Sequence, residues 1–179
     1  SERAPEGLYN SAAAVDNNGV LSVYRKVHLF NSEKDLFLPG NSGFPVFTYQ
    51  QVCLGMMICF DWIFPEAART LALKGAQILC HPSNLVLPWC QTAMATRSLE
   101  NAVFSITANR IGAETGQGQS LRFTGKSQIL TPTGEVLTQA VEDGQALHIV
   151  EINPARALDK RFSPGNNLFA DRRPNQYER

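Results

Sequence analysis

From Gln51 to Phe60 the chain runs Gln51-Val52-Cys53-Leu54-Gly55-Met56-Met57-Ile58-Cys59-Phe60, almost without a polar side chain. Near-continuous apolarity over that length predicts a strand buried on both faces, as in a sheet covered by helices. The next segment supplies such a cover. Pro65 suits the first turn of a helix and Glu66 complements its positive end. Ala67, Ala68, Leu71 and Ala72 fall at helical spacing, and Lys74-Gly75 gives a basic last turn and a stop. Ala76 to Cys80 then predicts a second buried strand, His81-Pro82-Ser83-Asn84 a loop, and Thr92 to Asn101 a second helix. Strand–helix–strand order with apolar strands is the pattern of an α/β fold.

The flanking regions read as antiparallel additions. Tyr9 to Val15 and Gly19 to Tyr24 predict strands around the turn Asp16-Asn17-Asn18-Gly19. Val27 to Gly40 reads as a polar loop and Phe44 to Thr48 as a short strand. Further on, Val103 to Asn109 predicts a strand, Gly112 to Gly118 a Gly-rich loop, and Ser127 to Thr131 with Glu135 to Thr138 a hairpin. His148 to Ile152 reads as a last strand, with Asn153 as N-cap and Pro154 as first residue of a short helix. No repeat or linker divides the chain, so residues 1–179 are expected to form a single domain. Its Pro-, Asn- and Arg-rich tail, about 162–179, is expected to pack on the body or on a partner subunit.

Sixteen basic residues balance sixteen acidic ones, which gives no support for nucleic acid or an anionic membrane surface as partner. No apolar run reaches the roughly 20 residues of a bilayer span, and Ser1 to Glu6 has no signal-peptide core. Four cysteines without a CxxC pair are expected to be reduced thiols in a cytoplasmic protein.

Among those cysteines Cys59 is distinguished by position. It ends a buried strand just before a helix, where free backbone N–H groups can hold an oxyanion and favour a thiolate. The alternative is one more buried thiol, and local pattern leaves both readings open. A thiol needs activation by a base or cation, and Lys26, at the end of a strand, is a candidate cation, although an isolated lysine is ordinarily a solvated charge. Glu33 alone reads as a loop carboxylate. His28 and His81 raise a Cys–His arrangement, and Asp61, Glu66 and His81 a metal site, but no ligand-spacing template is matched and structural roles are preferred. Glu66 and Arg69 are expected to form a local helical pair.

Taken in order, these segments resemble the nitrilase superfamily of carbon–nitrogen hydrolases. Tyr24-Arg25-Lys26-Val27-His28-Leu29 resembles its lysine motif, and Glu33 with Phe37-Leu38-Pro39-Gly40 the loop of its accessory glutamate. Gly55 to Arg69, around Cys59-Phe60-Asp61-Trp62, closely resembles the nucleophile motif. Ser98-Leu99-Glu100-Asn101, Ala108-Asn109-Arg110-Ile111-Gly112 and Asp171 to Tyr177 are similar to downstream signatures. The resemblance implies a four-layer αββα sandwich and a Glu-Lys-Cys triad with no metal and no organic cofactor. On that basis Cys59 attacks the substrate carbon, while Lys26 and backbone N–H groups near Phe60 stabilise the tetrahedral intermediate. Glu33 orients Lys26 or the substrate. Asn84 and Trp89 lie where the family lines its pocket and are candidate substrate contacts. A homodimer or higher homo-oligomer is also implied.

One departure accompanies the match. The family's general-base glutamate lies well upstream of the lysine, whereas here only 25 residues precede Lys26. Glu2 and Glu6 are the only such carboxylates, and neither sits in a matching motif. The sandwich is therefore expected to be incomplete at its N-terminus, with the base upstream of Ser1, and a molecule beginning at Ser1 is expected to be inactive. The expected function is hydrolysis of a small linear amide or N-carbamoyl compound through a Cys thioester. Alternatives are a nitrilase acting on a nitrile and an inactive binding or scaffold protein of the same fold.

Overall fold

The structure, a computed structural model, describes residues 1–116 and 119–177. The chain opens with an antiparallel pair, β1 (Glu2–Ala4) and β2 (Gly7–Tyr9), and then the expected hairpin of β3 (Ser11–Asp16) and β4 (Gly19–Arg25). Asp16 Oδ1 accepts the Asn18 N–H at 2.8 Å across its turn. The single strand expected over Tyr9 to Val15 is divided at Asn10, where the chain changes pairing partner. Within the stretch expected as a loop, Glu33–Leu36 forms one helical turn, α1, with Glu33 and Asp35 at its positive end.

Two strands follow, β5 (Val46–Tyr49) and β6 (Val52–Met56), closed by Gln50 (φ 46°) and Gln51 (φ 67°). Positive φ at both central residues is the twist a two-residue hairpin needs. The apolar run predicted as one strand therefore pairs only as far as Met56. Residues Cys59–Ile63 form a turn of 3₁₀ helix, followed by α2 (Pro65–Leu73), β7 (Ile78–Ser83), α3 (Cys90–Asn101) and β8 (Phe104–Asn109). Next come β9 (Ala113–Gly116), β10 (Gln119–Arg122), β11 (Gln128–Leu130) and β12 (Val136–Gln139). Most of the expected Gly-rich loop is thus one arm of a β9–β10 hairpin, and its residues Gln117 and Gly118 lie outside the described residues. Arg161–Ser163 and Asn166–Asn167 form a last pair, β13 and β14.

The fold is mixed α/β around a six-stranded sheet of order β12-β11-β8-β7-β6-β5. Strands β6, β7 and β8 are parallel, joined through α2 and α3, and antiparallel strands flank them. The helices bury one face of the sheet in a cluster that includes Met57, Leu71, Leu79, Met94, Val103 and Leu130. Ile78 and Phe104 point to the opposite face and pack with Ala157 from the 3₁₀ turn Pro154–Leu158, where Asn153 Oδ1 accepts the Ala155 N–H as the expected N-cap. Of the four layers, the described residues build a helix layer and this sheet, and their remaining β-structure is in two-stranded pairs. In the tail, Phe169 packs against the main cluster under Arg69 and Lys160. No helix among the described residues is long and apolar enough to cross a membrane.

Two expectations are corrected. His81, Pro82 and Ser83 belong to β7, paired with Thr107, Ala108 and Asn109 of β8. Pro82 is tolerated because β6 pairs with β7 only as far as Cys80, leaving that edge without a partner for the missing N–H. His148 to Ile152 forms no strand, and the neighbouring Leu147 and Ile149 are 87% and 86% exposed. Apolar residues make a strand only where a partner completes the ladder, and among the described residues no backbone ladder pairs with this segment, although the His148 ring meets the Thr138 hydroxyl of β12.

Gly40 shows how closely the elements approach. Its N–H donates to the Lys26 carbonyl at 2.8 Å, and a Cβ here would meet the Arg25 carbonyl oxygen at 2.0 Å. Backbone cannot yield as a side-chain tip can. Gly40→Ala is therefore predicted to destabilise the protein by about 1–3 kcal/mol, measured by denaturant unfolding; an unchanged midpoint would contradict the close approach.

Candidate active site

The site forms where one strand leaves the ladder early. Met57 N–H donates to the Cys80 carbonyl, the last bond between β6 and β7, while β7 and β8 continue to Ser83 and Asn109. The crevice this opens lies beyond the carboxyl ends of parallel strands, the usual ligand position in open α/β sheets. Cys59 occupies the bend itself with φ 44°, a left-handed conformation that costs a non-glycine residue roughly 1–3 kcal/mol.

Two buried side chains hold that bend. Asp61 Oδ2 accepts the Ile58 N–H at 2.8 Å, immediately before Cys59. His81 Nε2 lies 2.9 Å from the Cys59 carbonyl oxygen, and its Nδ1 lies 3.2 Å from the Thr107 hydroxyl. A carbonyl only accepts, so the His81 proton is on Nε2 and Nδ1 accepts from Thr107. Burial lowers the His81 pKa to about 4, opposed by the Cys59 carbonyl, so the ring is neutral near pH 7.

Lys26 and Glu33 form the second half. The Lys26 side chain is wholly buried, and its Nζ donates to Glu33 Oε2 at 2.5 Å. Glu33 also accepts the Phe30 N–H at 2.7 Å and the Asn10 side-chain amide at 3.0 Å. The helical turn of α1 places Glu33, and the end of β4 places Lys26, whose own N–H donates to the Asn10 carbonyl. A buried ammonium without such a partner would be strongly unfavourable.

Cys59 and Glu33 meet at one cavity of about 610 Å³, lined also by Asn10, Phe30, Asn84 and Arg110, with Lys26, Asp61 and His81 buried behind its wall. Burial pushes the Cys59 thiol up, the Lys26 charge and the backbone N–H groups of Asn84 and Phe60 pull it down, and Glu33 opposes them. The net direction is upward, so the resting group is a thiol set among donors that favour the thiolate once it forms. Of the expected site residues, the structure brings Cys59, Lys26, Glu33, Phe60 and Asn84 together. Trp89 is not among the cavity-lining residues; it precedes α3 with its ring 61% exposed, because the turn into the helix carries it away from the crevice.

Other side chains have different duties. Glu2 and Glu6 are held by Arg25, Glu2 at 2.5 Å and Glu6 at 3.1 Å, away from the cavity. Arg69 does not pair with Glu66; it crosses to the Glu100 carbonyl at 2.7 Å. Among the described residues no group of three or more His, Cys, Asp or Glu side chains is arranged to hold a metal ion. Asn10 is the site-building residue that the sequence did not single out, since it carries no motif. Asp61 and His81 were weighed there as metal or Cys–His candidates with structural roles preferred, and the structure gives both structural roles beside Cys59.

The carbon–nitrogen hydrolase family profile matches residues 1–161. A protein from Pyrococcus abyssi named nitrilase is 47% identical over 179 residues, spanning all of this chain and 67% of that protein. N-carbamoylputrescine amidase of Arabidopsis thaliana is 36% identical over 197 residues, covering 99% of this chain and 65% of that protein. Among solved structures, a carbon–nitrogen hydrolase from Helicobacter pylori superposes with a TM-score of 0.88 at 31% identity, covering 98% of this chain and 66% of the other. The chain thus spans about two thirds of the length of these relatives.

The His81 environment gives a pH prediction. Its folded pKa of about 4 lies below the ordinary value of 6.5, so the unfolded chain binds the proton more readily. The associated stability is complete above pH 6.5 and is lost as pH falls toward 4, by about 3 kcal/mol. Thermal unfolding across that range should follow this slope, and His81→Gln, which keeps a donor for the Cys59 carbonyl, should flatten it. An equal slope in the variant would mean that His81 is not its source.

Proposed function

The chain belongs to the carbon–nitrogen hydrolase family, and from that premise we propose that it cleaves the C–N bond of a small linear amide or N-carbamoyl compound through a thioester on Cys59. The observation that carries this reading is the shared cavity: a strained cysteine and the carboxylate that holds the buried Lys26 ammonium line one chamber of small-molecule size, with the Lys26 charge acting on the sulfur. The Cys59 sulfur attacks the substrate carbon as its proton passes to a base. The oxyanion that forms is held by the Phe60 N–H and the Lys26 ammonium, which meets no solvent competition in its buried position. Collapse expels ammonia or an amine, which takes up a proton. Water then attacks the thioester and regenerates the thiol.

Glu33 acts in this scheme by fixing Lys26, since its oxygens already receive the ammonium, the Phe30 N–H and the Asn10 amide. The thiol's raised pKa calls for a separate proton acceptor, and the carboxylates lining the cavity among the described residues are Glu33 and the Arg110-paired Glu114. Asn84 is the proposed polar contact to substrate. A nitrile is the second reading, favoured by the name of the Pyrococcus abyssi relative and by chemistry that needs the same thiolate and donors. A cytoplasmic homo-oligomer is part of the proposal, and the exposed rings of Trp89, Phe162 and Tyr177 are suited to a subunit contact. Sedimentation should give a mass at least twice that of the single chain; a monomer at micromolar concentration would remove this part.

Ammonia release from a panel of linear amides, carbamoyl compounds and nitriles tests the reading. Cys59→Ala should lower turnover at least about a thousandfold and Lys26→Ala about a hundredfold or more, each with a wild-type circular dichroism spectrum. Wild-type rates in either variant would remove that residue from the mechanism, and no release from any compound would favour a binding or scaffold role.

A further inference from the structure

Asp61 is 0% exposed, and a carboxylate so placed must have its oxygens occupied. It receives four donors: Ile58 N–H at 2.8 Å, Tyr24 Oη–H at 2.7 Å, His28 Nδ1–H at 2.8 Å and His28 N–H at 3.3 Å. The first comes from the residue before Cys59. The other three come from the segment that carries Lys26. Tyr24, after donating to Asp61, accepts the Val27 N–H at 3.1 Å, so neighbours on both sides of Lys26 hang from one carboxylate. Among the described residues, every hydrogen bond that joins segment 24–28 to segment 58–62 ends on Asp61.

The remaining ties are to other elements. The Lys26 backbone is held by the Asn10 carbonyl and the Gly40 N–H, its ammonium by Glu33, and the Cys59 carbonyl by His81 of β7. None of these ties joins the Lys26 segment to the Cys59 segment. We propose that Asp61 is a positioning residue which, through Tyr24 and Ile58, sets the distance between the Lys26 ammonium and the Cys59 sulfur. The inference rests on the hydrolase reading for its effect on rate, but the geometry it asserts does not. Asparagine cannot replace it, because one half of the amide would turn N–H groups toward N–H donors. Lys26 and Glu33 are the charged groups that act on the sulfur, and Lys26 favours its thiolate. Loosening the clamp should therefore weaken both the reaction and the ease of ionising Cys59.

The test compares wild type, Asp61→Asn and Tyr24→Phe in the native gene product, the last removing only one hydroxyl should the Asn variant fail to fold. Two quantities are read on folded protein: kcat and KM for the best substrate, and the pH midpoint of Cys59 alkylation by iodoacetamide, followed by peptide mass spectrometry. In Tyr24→Phe we expect kcat to fall about tenfold or more with KM within about twofold, and the alkylation midpoint to rise. A variant that loses thermal stability but keeps kcat and midpoint has lost packing alone, and the proposal falls. If wild type hydrolyses nothing, the hydrolase reading fails, and the midpoint shift still decides whether the clamp exists.

Discussion

Strand β6 leaves its ladder at Met56 while β7 and β8 continue, and the crevice and the bend at Cys59 follow from that difference in length. The departure frees the β7 edge beyond Cys80, which makes room for Pro82 and for the crevice. It also forces a sharp bend into the backbone at Cys59, since the chain must turn from extended to helical within one residue. Had β6 run on, the sheet would be more regular and the sulfur would lie in a closed core, as the Cys90 thiol does.

The bend is held open by buried polarity of two kinds. Asp61 and His81 secure the backbone on either side of Cys59, and Glu33 compensates the Lys26 charge. Asp61, His81 and Lys26 are buried, Glu33 is partly so, and each meets partners of the right sign, which is the condition for polar side chains to sit in a core without a large penalty. The neutral His81 contributes a donor without contributing charge, leaving Lys26 as the cation acting on the sulfur. Electrostatics at the site therefore come from few groups at fixed positions, the arrangement that a developing oxyanion requires.

Much of this was legible in the sequence. The apolar run, the Pro65 helix and the hairpin turns located the sheet and helices because each signal is local: spacing, a fixed φ, a missing N–H. The motif order named Cys59, Lys26, Glu33, Phe60 and Asn84, and the fold sets these residues near one another, with Cys59, Glu33 and Asn84 lining the cavity. What the sequence hid depends on distant partners. The strand expected over His148 to Ile152 has β-branched residues, but composition says nothing of whether a ladder partner exists. His81 read as a loop residue because Pro82 follows it, and the exemption for proline at an unpaired edge becomes visible only when the length of β6 is known. Trp89 was placed by analogy of position, and in the fold it caps α3 as an exposed residue outside the cavity lining. Asn10 had no motif at all, and only the fold brings it to Glu33.

If the thioester chemistry proposed for Cys59 holds, its left-handed backbone sets stability and chemistry against each other at a single position. Glycine would occupy that φ without strain, so relaxation of the bend and retention of a sulfur cannot be satisfied together. A lineage no longer selected for the reaction would gain stability by drifting to glycine there, whereas one under such selection must keep the strained residue and the buried contacts that hold it. The residue at position 59 in any homologue thus records which of the two pressures has acted on it.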